Sequence, residues 1–125
     1  MKEIINTKNA PSAIGPYSQA VWAGDMLLMS GQIALNPETG VMENESLASE
    51  THRVMKNIAG ILEAAGMDYS HILKASIFIK DMNEFAQINE IYASYLQEPY
   101  PARETVEVAR LPKDARIEIS IIAKK

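Results

Sequence analysis

An arginine that follows a proline-rich turn is the residue of this sequence best suited to bind a carboxylate. The segment Pro99-Tyr100-Pro101-Ala102 leads directly into Arg103, which opens a stretch of strand-like composition. Prolines restrict the backbone, and a guanidinium on a stiff backbone can hold a carboxylate through two parallel hydrogen bonds. An arginine in such a position is more often an ordinary surface residue, so this segment alone leaves both interpretations open.

Other kinds of reactive centre lack the residues they need. The chain has no cysteine, and its only histidines, His52 and His71, have no partner at metal-ligand spacing. The glycines are too dispersed for a P-loop or a dinucleotide-binding fingerprint, and no histidine is positioned to act as the base of a serine triad. The sequence therefore predicts neither a bound metal nor a cofactor.

Composition and charge narrow the class of protein further. At 125 residues with 47% hydrophobic residues, the chain is expected to form a single domain spanning residues 1–125. Its net charge of −4 and scattered basic residues disfavour nucleic acid as a partner. No apolar run reaches the length of a signal peptide or a membrane span, and the absence of cysteine fits a cytoplasmic location.

Periodicity predicts two helices, from about Ser46 to Ala65 and from about Met82 to Leu96, with Gly66 ending the first and an Asp81–Glu84 capping box starting the second. The order of helices and strands predicts an α+β fold, a six-stranded mixed sheet with both helices packed on one face. The predicted strands are Glu3 to Thr7, Tyr17 to Trp22, Met26 to Gly31, Ile72 to Lys80, Glu104 to Arg110 and Arg116 to Ala123.

Alternation along the last three strands predicts which side chains share a face of the sheet. The face predicted to pack against the helices carries Leu73, Ala75, Ile77, Ile79, Val106, Val108, Ile117, Ile119 and Ile121. The opposite face is predicted to carry Lys74, Ser76, Lys80, Arg103, Thr105, Glu107, Arg116, Glu118 and Ser120. This second face could simply be solvated, with pairs such as Glu107 and Arg116 on its surface. The apolar Ile72 and Phe78 share its parity, however, which suggests partial cover by another subunit.

Four short motifs resemble one known family. They are Gly15-Pro16-Tyr17-Ser18-Gln19, Ser30-Gly31-Gln32, Pro101-Ala102-Arg103 and Val108-Ala109-Arg110-Leu111-Pro112-Lys113-Asp114. In this order and spacing they resemble the Rid family, historically also called YjgF/YER057c/UK114, over essentially the whole chain.

The resemblance implies a chorismate-mutase-like fold and a homotrimer with a central barrel and clefts at the subunit interfaces. Archetypal members hydrolyse reactive 2-imino acids, the tautomers of 2-enamino acids, to 2-oxo acids and ammonia. Their substrates, such as 2-aminoacrylate/2-iminopropanoate and 2-iminobutanoate, are released by pyridoxal-phosphate dehydratases. No cofactor is needed for this hydrolysis.

Matched position by position, Arg103 corresponds to the family's carboxylate-binding arginine and Glu118 to its water-positioning glutamate. Tyr17, Ser30, Gly31, Asn89 and Thr105 correspond to positions that line the cleft. At Thr105 the chain departs from archetypal members, which carry a cysteine there, and the loop between Leu96 and Pro101 looks shorter than in some members.

Two other functions remain open. The same cleft could serve a non-catalytic regulatory trimer that binds 2-oxo acids. The translation-inhibiting ribonuclease activity attached to some relatives is disfavoured by the net charge of −4 and the lack of a catalytic histidine pair.

Overall fold

The computed structural model describes all residues, from Met1 to Lys125, and contains two α-helices and six strands, with 3₁₀ turns at Tyr69–His71, Met82–Glu84 and Pro112–Asp114. No helix has the length and apolar composition needed to cross a membrane. The helices are α1 (Leu47–Ala64) and α2 (Phe85–Ser94), and the strands are β1 (Ile4–Ile5), β2 (Ala20–Ala23), β3 (Met26–Met29), β4 (Ile72–Ile79), β5 (Ala102–Glu107) and β6 (Ile117–Lys124).

The strands form one sheet in the order β1-β2-β3-β6-β4-β5. Strands β4 and β5 are parallel, and every other neighbouring pair is antiparallel. Both helices pack on one face, which confirms the predicted six-stranded mixed α+β architecture. We call the other side of the sheet the open face.

The helices begin and end near the predicted signals. Ser46 caps α1, where its side chain accepts a hydrogen bond from the Ser49 N–H, and Gly66 follows the helix with a φ of +74°. The Asp81 side chain accepts from the Asn83 N–H and so caps the 3₁₀ turn that leads into α2. The reciprocal bond of the expected capping box is not formed there.

The face of the sheet that packs against the helices is apolar, as alternation predicts in the two central strands. These side chains have no more than 3% of their surface exposed, and they are Ala75, Ile77, Ile79, Ile117, Ile119 and Ile121. Burial of this kind is worth roughly 1.5 to 3 kcal/mol for each large aliphatic side chain. Burial of this face therefore fixes the backbones of the central strands β4 and β6, which carry the side chains of the open face.

The predicted faces of Ile72 and Leu73 are wrong. The pairing of β4 with β6 shifts register between Ile72 and Lys74, which marks a β-bulge or a similar irregularity. Because an extra residue reverses alternation, Ile72 is buried while Leu73 remains 47% exposed. The apolar group at this end of the open face is therefore Leu73.

The predicted faces of β5 are also wrong. Arg103 lies opposite Ala75 and Thr105 opposite Ile77, so both side chains lie on the side of the helices. Val106 lies opposite Phe78 on the open face. At an edge strand that the helices cover only partly, a long polar side chain can face a helix and still reach solvent, so polarity does not identify the face.

Arg116 does not share the open face with Glu118 either. Its Nε donates to the Glu50 carboxylate at 2.8 Å and its N–H donates to the other carboxylate oxygen at 2.7 Å. Glu50 is buried on α1, with 1% of its surface exposed. The expected partner Glu107 instead accepts a hydrogen bond from the Met82 N–H. The Glu50–Arg116 pair thus fixes the start of β6, two residues before Glu118.

Candidate active site

The predicted site residues fall into two groups in one chain. The first group lines a cavity of about 640 Å³ beside β6. Its members, which we call half-site A, are Tyr17, Ser30, Gly31 and Glu118. The remaining predicted residues, Asn89, Arg103 and Thr105, lie on α2 and β5, and we call them half-site B.

Glu118 is the acidic group of half-site A. It lies on β6 opposite Phe78 and points from the open face. Partial burial raises the pKa of its carboxyl above the ordinary value, because desolvation disfavours the charged form. A half-buried carboxylate of this kind can accept a proton from water more readily than a fully solvated one.

Gly31 lies against this carboxyl group. A Cβ added at Gly31 would meet the Glu118 side chain, with the carboxyl carbon 2.8 Å away. The neighbouring Gln32 N–H donates to the Ile119 carbonyl at 2.8 Å, which ties this segment to β6. The Gly31 N–H itself has no acceptor within the chain and is free to bind a ligand. A glycine is therefore required for the close approach of backbone and carboxylate.

The serine and tyrosine of half-site A differ in how they are held. The Ser30 hydroxyl donates to the Ser18 carbonyl at 2.6 Å, and the Ser30 N–H donates to the Gln19 carbonyl at 2.9 Å. Ser30 therefore fixes the path of the chain next to Gly31. Tyr17, in contrast, is 54% exposed, and its side chain borders the cavity.

One wall of this cavity depends on Gln19, a residue of the first motif that was not predicted to belong to the site. Gln19 is buried, and its amide nitrogen donates to the Thr7 carbonyl at 3.0 Å and the Pro11 carbonyl at 2.9 Å. Its amide oxygen accepts from the Thr7 N–H at 2.7 Å. Pro11 and Ile14 line the cavity, so this glutamine holds the N-terminal segment in place as a wall.

Half-site B is built around Arg103. Its guanidinium donates to the Asn89 side-chain oxygen, and the guanidinium carbon lies 5.3 Å from the Phe85 ring centre and 5.6 Å from the Tyr92 ring centre. Phe85, Asn89 and Tyr92 are spaced four and three residues apart, so they lie on one face of α2. Two rings and an amide oxygen thus orient a guanidinium whose side chain remains exposed.

The two aromatic contacts were not predicted as part of the site. The sequence places Phe85 and Tyr92 on the apolar stripe of α2, which is the ordinary signature of core residues. Tyr92 is indeed 5% exposed, and burial raises the pKa of its hydroxyl, an effect that Arg103 partly offsets. It also lines a cavity of about 440 Å³ together with Asn89 and Arg103.

Thr105 lies two residues beyond Arg103 on the same side of β5. Its hydroxyl is buried and has no hydrogen-bond partner within the chain. An unpaired buried hydroxyl is costly and usually finds a partner in water, a ligand or another chain. Thr105 therefore offers an unused donor and acceptor on the same side of β5 as Arg103.

Arg103 and Glu118 do not meet within one chain. Glu118 is on β6 and the open face, whereas Arg103 is on β5 and the side of the helices, with β4 between the two strands. Side chains on opposite faces of a packed sheet cannot contact the same small molecule. Each half-site thus holds only some of the residues that the sequence predicts for the site.

The histidines lie outside both half-sites. The Nδ1 of His52 is 2.6 Å from the Tyr95 hydroxyl, between the two helices, and His71 contacts Asp68 in the turn before β4. No group of three or more histidine and acidic side chains is arranged to hold a metal ion.

The chain matches the family model described as Endoribonuclease L-PSP over residues 7–125. It is 51% identical over 125 residues to RutC family protein PH0854 of Pyrococcus horikoshii, covering 100% of this chain and 99% of the relative. It is 46% identical over 126 residues to the 2-iminobutanoate/2-iminopropanoate deaminase of Escherichia coli, covering 98% of each chain.

Solved structures agree with the fold. The YjgF gene product of E. coli superposes with a TM-score of 0.93 at 45% identity, covering 98% of both chains. TdcF of E. coli, solved with bound serine, superposes with a TM-score of 0.94 at 43% identity, covering 99% of both. The chain therefore belongs to the family that this model describes, the YjgF or Rid family that its motifs resemble.

Proposed function

We propose that this protein is a hydrolytic deaminase that converts 2-imino and 2-enamino acids to 2-oxo acids and ammonia. A relative of nearly equal length bears the name 2-iminobutanoate/2-iminopropanoate deaminase, and a related structure binds the amino acid serine. The observation that carries the proposal is that the chain holds both an oriented arginine, in half-site B, and a half-buried glutamate beside a free N–H, in half-site A. These are the groups that hydrolysis of a small carboxylate-bearing imine needs.

The complete site, in this proposal, forms between two copies of the chain. Half-site A of one copy meets half-site B of the next in a homotrimer whose sheets form a central barrel. The open face carries exposed apolar side chains that such a barrel would bury, since Leu28, Leu73 and Val106 are 40%, 47% and 42% exposed. The separation of Arg103 from Glu118 within one chain supports the same arrangement.

Arg103 binds the substrate carboxylate through two charge-assisted hydrogen bonds and so fixes the C=N carbon. Tyr17 packs over the substrate, and the Gly31 N–H donates to it. Water held by Glu118 attacks the carbon of the protonated imine (C=NH₂⁺), and a proton of that water passes to the Glu118 carboxylate. The resulting carbinolamine collapses when its nitrogen receives that proton and leaves as ammonia, and loss of the remaining hydroxyl proton yields the 2-oxo acid.

Thr105 replaces the cysteine of archetypal members, and its unpaired hydroxyl supports a role in contacting the ordered water or the substrate. Hydrolysis then needs no thiol at this position. We expect Thr105→Cys to remain active and Thr105→Val to lose part of its kcat/KM, because valine keeps the shape of threonine and removes the hydroxyl. Equal activity of the valine variant would exclude the contact.

A coupled assay tests the function directly. A pyridoxal-phosphate dehydratase acting on serine or threonine supplies 2-aminoacrylate or its four-carbon homologue, and release of the 2-oxo acid is timed with and without the protein. We expect Arg103→Ala to lose on the order of 100-fold in kcat/KM, the cost of truncating one partner of a charge pair. Arg103→Lys is the matched control, since it keeps the charge without the planar fork and should retain intermediate activity. An unchanged rate in Arg103→Ala would exclude the carboxylate anchor.

The same assay separates the alternative functions. Binding of 2-oxobutanoate without any gain in rate would favour a regulatory binding trimer. The family model carries a ribonuclease description, but both histidines lie outside the half-sites and the net charge is −4. Salt-sensitive binding of RNA together with its cleavage would favour ribonuclease activity instead.

We place this reaction in the cytoplasm, in one domain spanning residues 1–125, as protection against reactive imines from pyridoxal-phosphate dehydratases. The absence of cysteine is compatible with a reducing compartment. This metabolic role is tested by deleting the gene and measuring whether a dehydratase-dependent growth defect appears.

A further inference from the structure

The loop between β5 and β6 contains a backbone conformation that its residue types disfavour. Lys113 and Asp114 have φ values of 55° and 54°, in the left-handed region that suits glycine. The loop is held there by the buried Leu111, by an Asp114 N–H bond to the Leu111 carbonyl at 3.1 Å and by an Arg110–Asp114 ion pair at 2.9 Å. A strained position that its surroundings enforce is a candidate for function.

The strained lysine lies at the cavity of half-site A. Lys113 and Pro112 both line the cavity that contains Glu118, and Lys113 is exposed, so it lies at the solvent edge of that cavity. A glycine at this position would relieve the backbone but would place no charge at the cavity.

The charge of Lys113 is not used elsewhere in the chain. It forms no ion pair, whereas Arg110 is paired with Asp114 and Arg116 with Glu50. Glu118, the carboxylate of the same cavity, forms no ion pair with this lysine either. The loop therefore presents one unpaired positive charge at the edge of the cavity, on a chain whose net charge is −4.

We propose that Lys113 is a specificity-determining residue that attracts and selects anionic substrates at the entrance of half-site A. This inference rests on the proposed function, because it names the charge of the substrate that the same site takes. The attraction acts before the carboxylate reaches Arg103, so it raises the rate of productive encounter with carboxylate-bearing imines and favours them over uncharged imines.

A charge series at this position tests the inference. One charge acting through water over about 7 Å changes the local concentration of a monoanion by about threefold, and salt screens that effect. We expect Lys113→Gln to lower kcat/KM for 2-iminopropanoate by about threefold and Lys113→Glu by about tenfold in low salt, with kcat unchanged. Both losses should disappear near 1 M salt, where the screening length is about 3 Å. Lys56→Gln and Lys56→Glu, on the exposed side of α1, make the same charge changes away from the cavity and should have little effect.

A glycine variant separates function from loop geometry. Lys113→Gly removes the charge together with the strain at this one position, so we expect its melting temperature to rise by a few degrees while kcat/KM falls as in Lys113→Gln. A rise in stability with unchanged kcat/KM would overturn the inference and leave Lys113 as an ordinary loop residue. An equal loss in the Lys56 series, or a loss that persists in high salt, would also overturn it.

Calorimetric binding of 2-oxobutanoate distinguishes this inference from the proposed function. If the wild-type protein binds the 2-oxo acid but does not hydrolyse imines, the catalytic proposal fails. Weaker binding of the 2-oxo acid by Lys113→Gln would then still support the role of Lys113 in attracting anions. If the wild-type protein hydrolyses imines and the Lys113 variants have the same kcat/KM, the inference about Lys113 fails and the catalytic proposal stands. A wild-type protein that binds no 2-oxo acid and hydrolyses no imine refutes both.

Discussion

Substituting Gly31 by alanine perturbs the proposed site through a single added methyl group. The new Cβ would lie 2.8 Å from the Glu118 carboxyl carbon and 3.1 Å from its Cγ. Carbon atoms in contact are about 3.5 to 4.0 Å apart, so the carboxyl group must move by about 1 Å. Gly31 is not among the residues with a positive φ, so alanine can adopt the backbone, and the effect is confined to the Glu118 side chain.

A shift of about 1 Å in a group that positions the reacting water can lower the rate by about 100-fold. We therefore expect Gly31→Ala to lose about 100-fold in kcat in the coupled imine assay. The melting temperature should change little, because the displaced carboxylate is only half-buried. Binding of 2-oxobutanoate should be weakened less than catalysis, since Arg103 is unaffected.

The matched control is the same substitution in a Glu118→Ala background. If Gly31→Ala acts by displacing the carboxylate, it should cause almost no further loss once that carboxylate is absent. An additive loss in the double variant would refute this reasoning, as would a Gly31→Ala enzyme with the wild-type kcat.

Three further predictions concern other contacts. Burial raises the pKa of the Glu118 carboxyl, so the acidic limb of the pH–rate profile should have its midpoint above 4.5, the ordinary pKa of this group. Glu118→Gln should abolish both this limb and most of the activity. A midpoint below 4.5 would contradict the role of Glu118 as the base. Asn89→Leu removes the amide acceptor that orients Arg103 and should raise KM several-fold at similar stability, whereas an unchanged KM would show that the aromatic rings suffice. Glu50→Gln removes the buried negative charge that accepts hydrogen bonds from Arg116, and it should lower the free energy of unfolding by about 2 to 3 kcal/mol in denaturant titrations. A loss below about 0.5 kcal/mol would show that the Glu50–Arg116 pair does not hold the start of β6.

The helices and the central strands were predictable because their residues repeat a strong pattern. The buried isoleucines of β4 and β6 alternate without interruption from Ala75 onward, and Ser46 and Gly66 mark the ends of α1. In such segments the burial of apolar side chains and the local preference for helix or strand favour the same structure, so the sequence determines on which face each side chain lies.

Strand β5 was not predictable by the same reasoning. Its polar and apolar residues alternate correctly, but Arg103 faces α2 and Val106 faces outward. This reversal is favourable because α2 supplies two rings and an amide for the guanidinium, and because Val106 lies on a face that we propose another copy covers. Neither partner can be inferred from the alternation of β5 alone.

The composition of the site was predictable only through the motifs. Residue spacing left Arg103 with two interpretations, and nothing in the spacing connected Gly31 with Glu118, which are distant in the chain. Packing joins them, since Gln32 pairs with Ile119 and brings the two residues side by side. The left-handed backbone at Lys113 has no sequence signal at all, because neither lysine nor a preceding proline indicates it.

Mixing two inactive variants tests most directly the claim that one site needs two copies. Arg103→Ala retains half-site A and Glu118→Gln retains half-site B, so their co-assembly should create some intact sites. The two variants are mixed in equal amounts, denatured and refolded together. If they assemble at random in a ring with one site per interface, about a quarter of the interfaces join two intact half-sites, so about a quarter of the wild-type activity is expected. A mixture that remains as inactive as each variant alone, in verified mixed oligomers, would contradict the shared site.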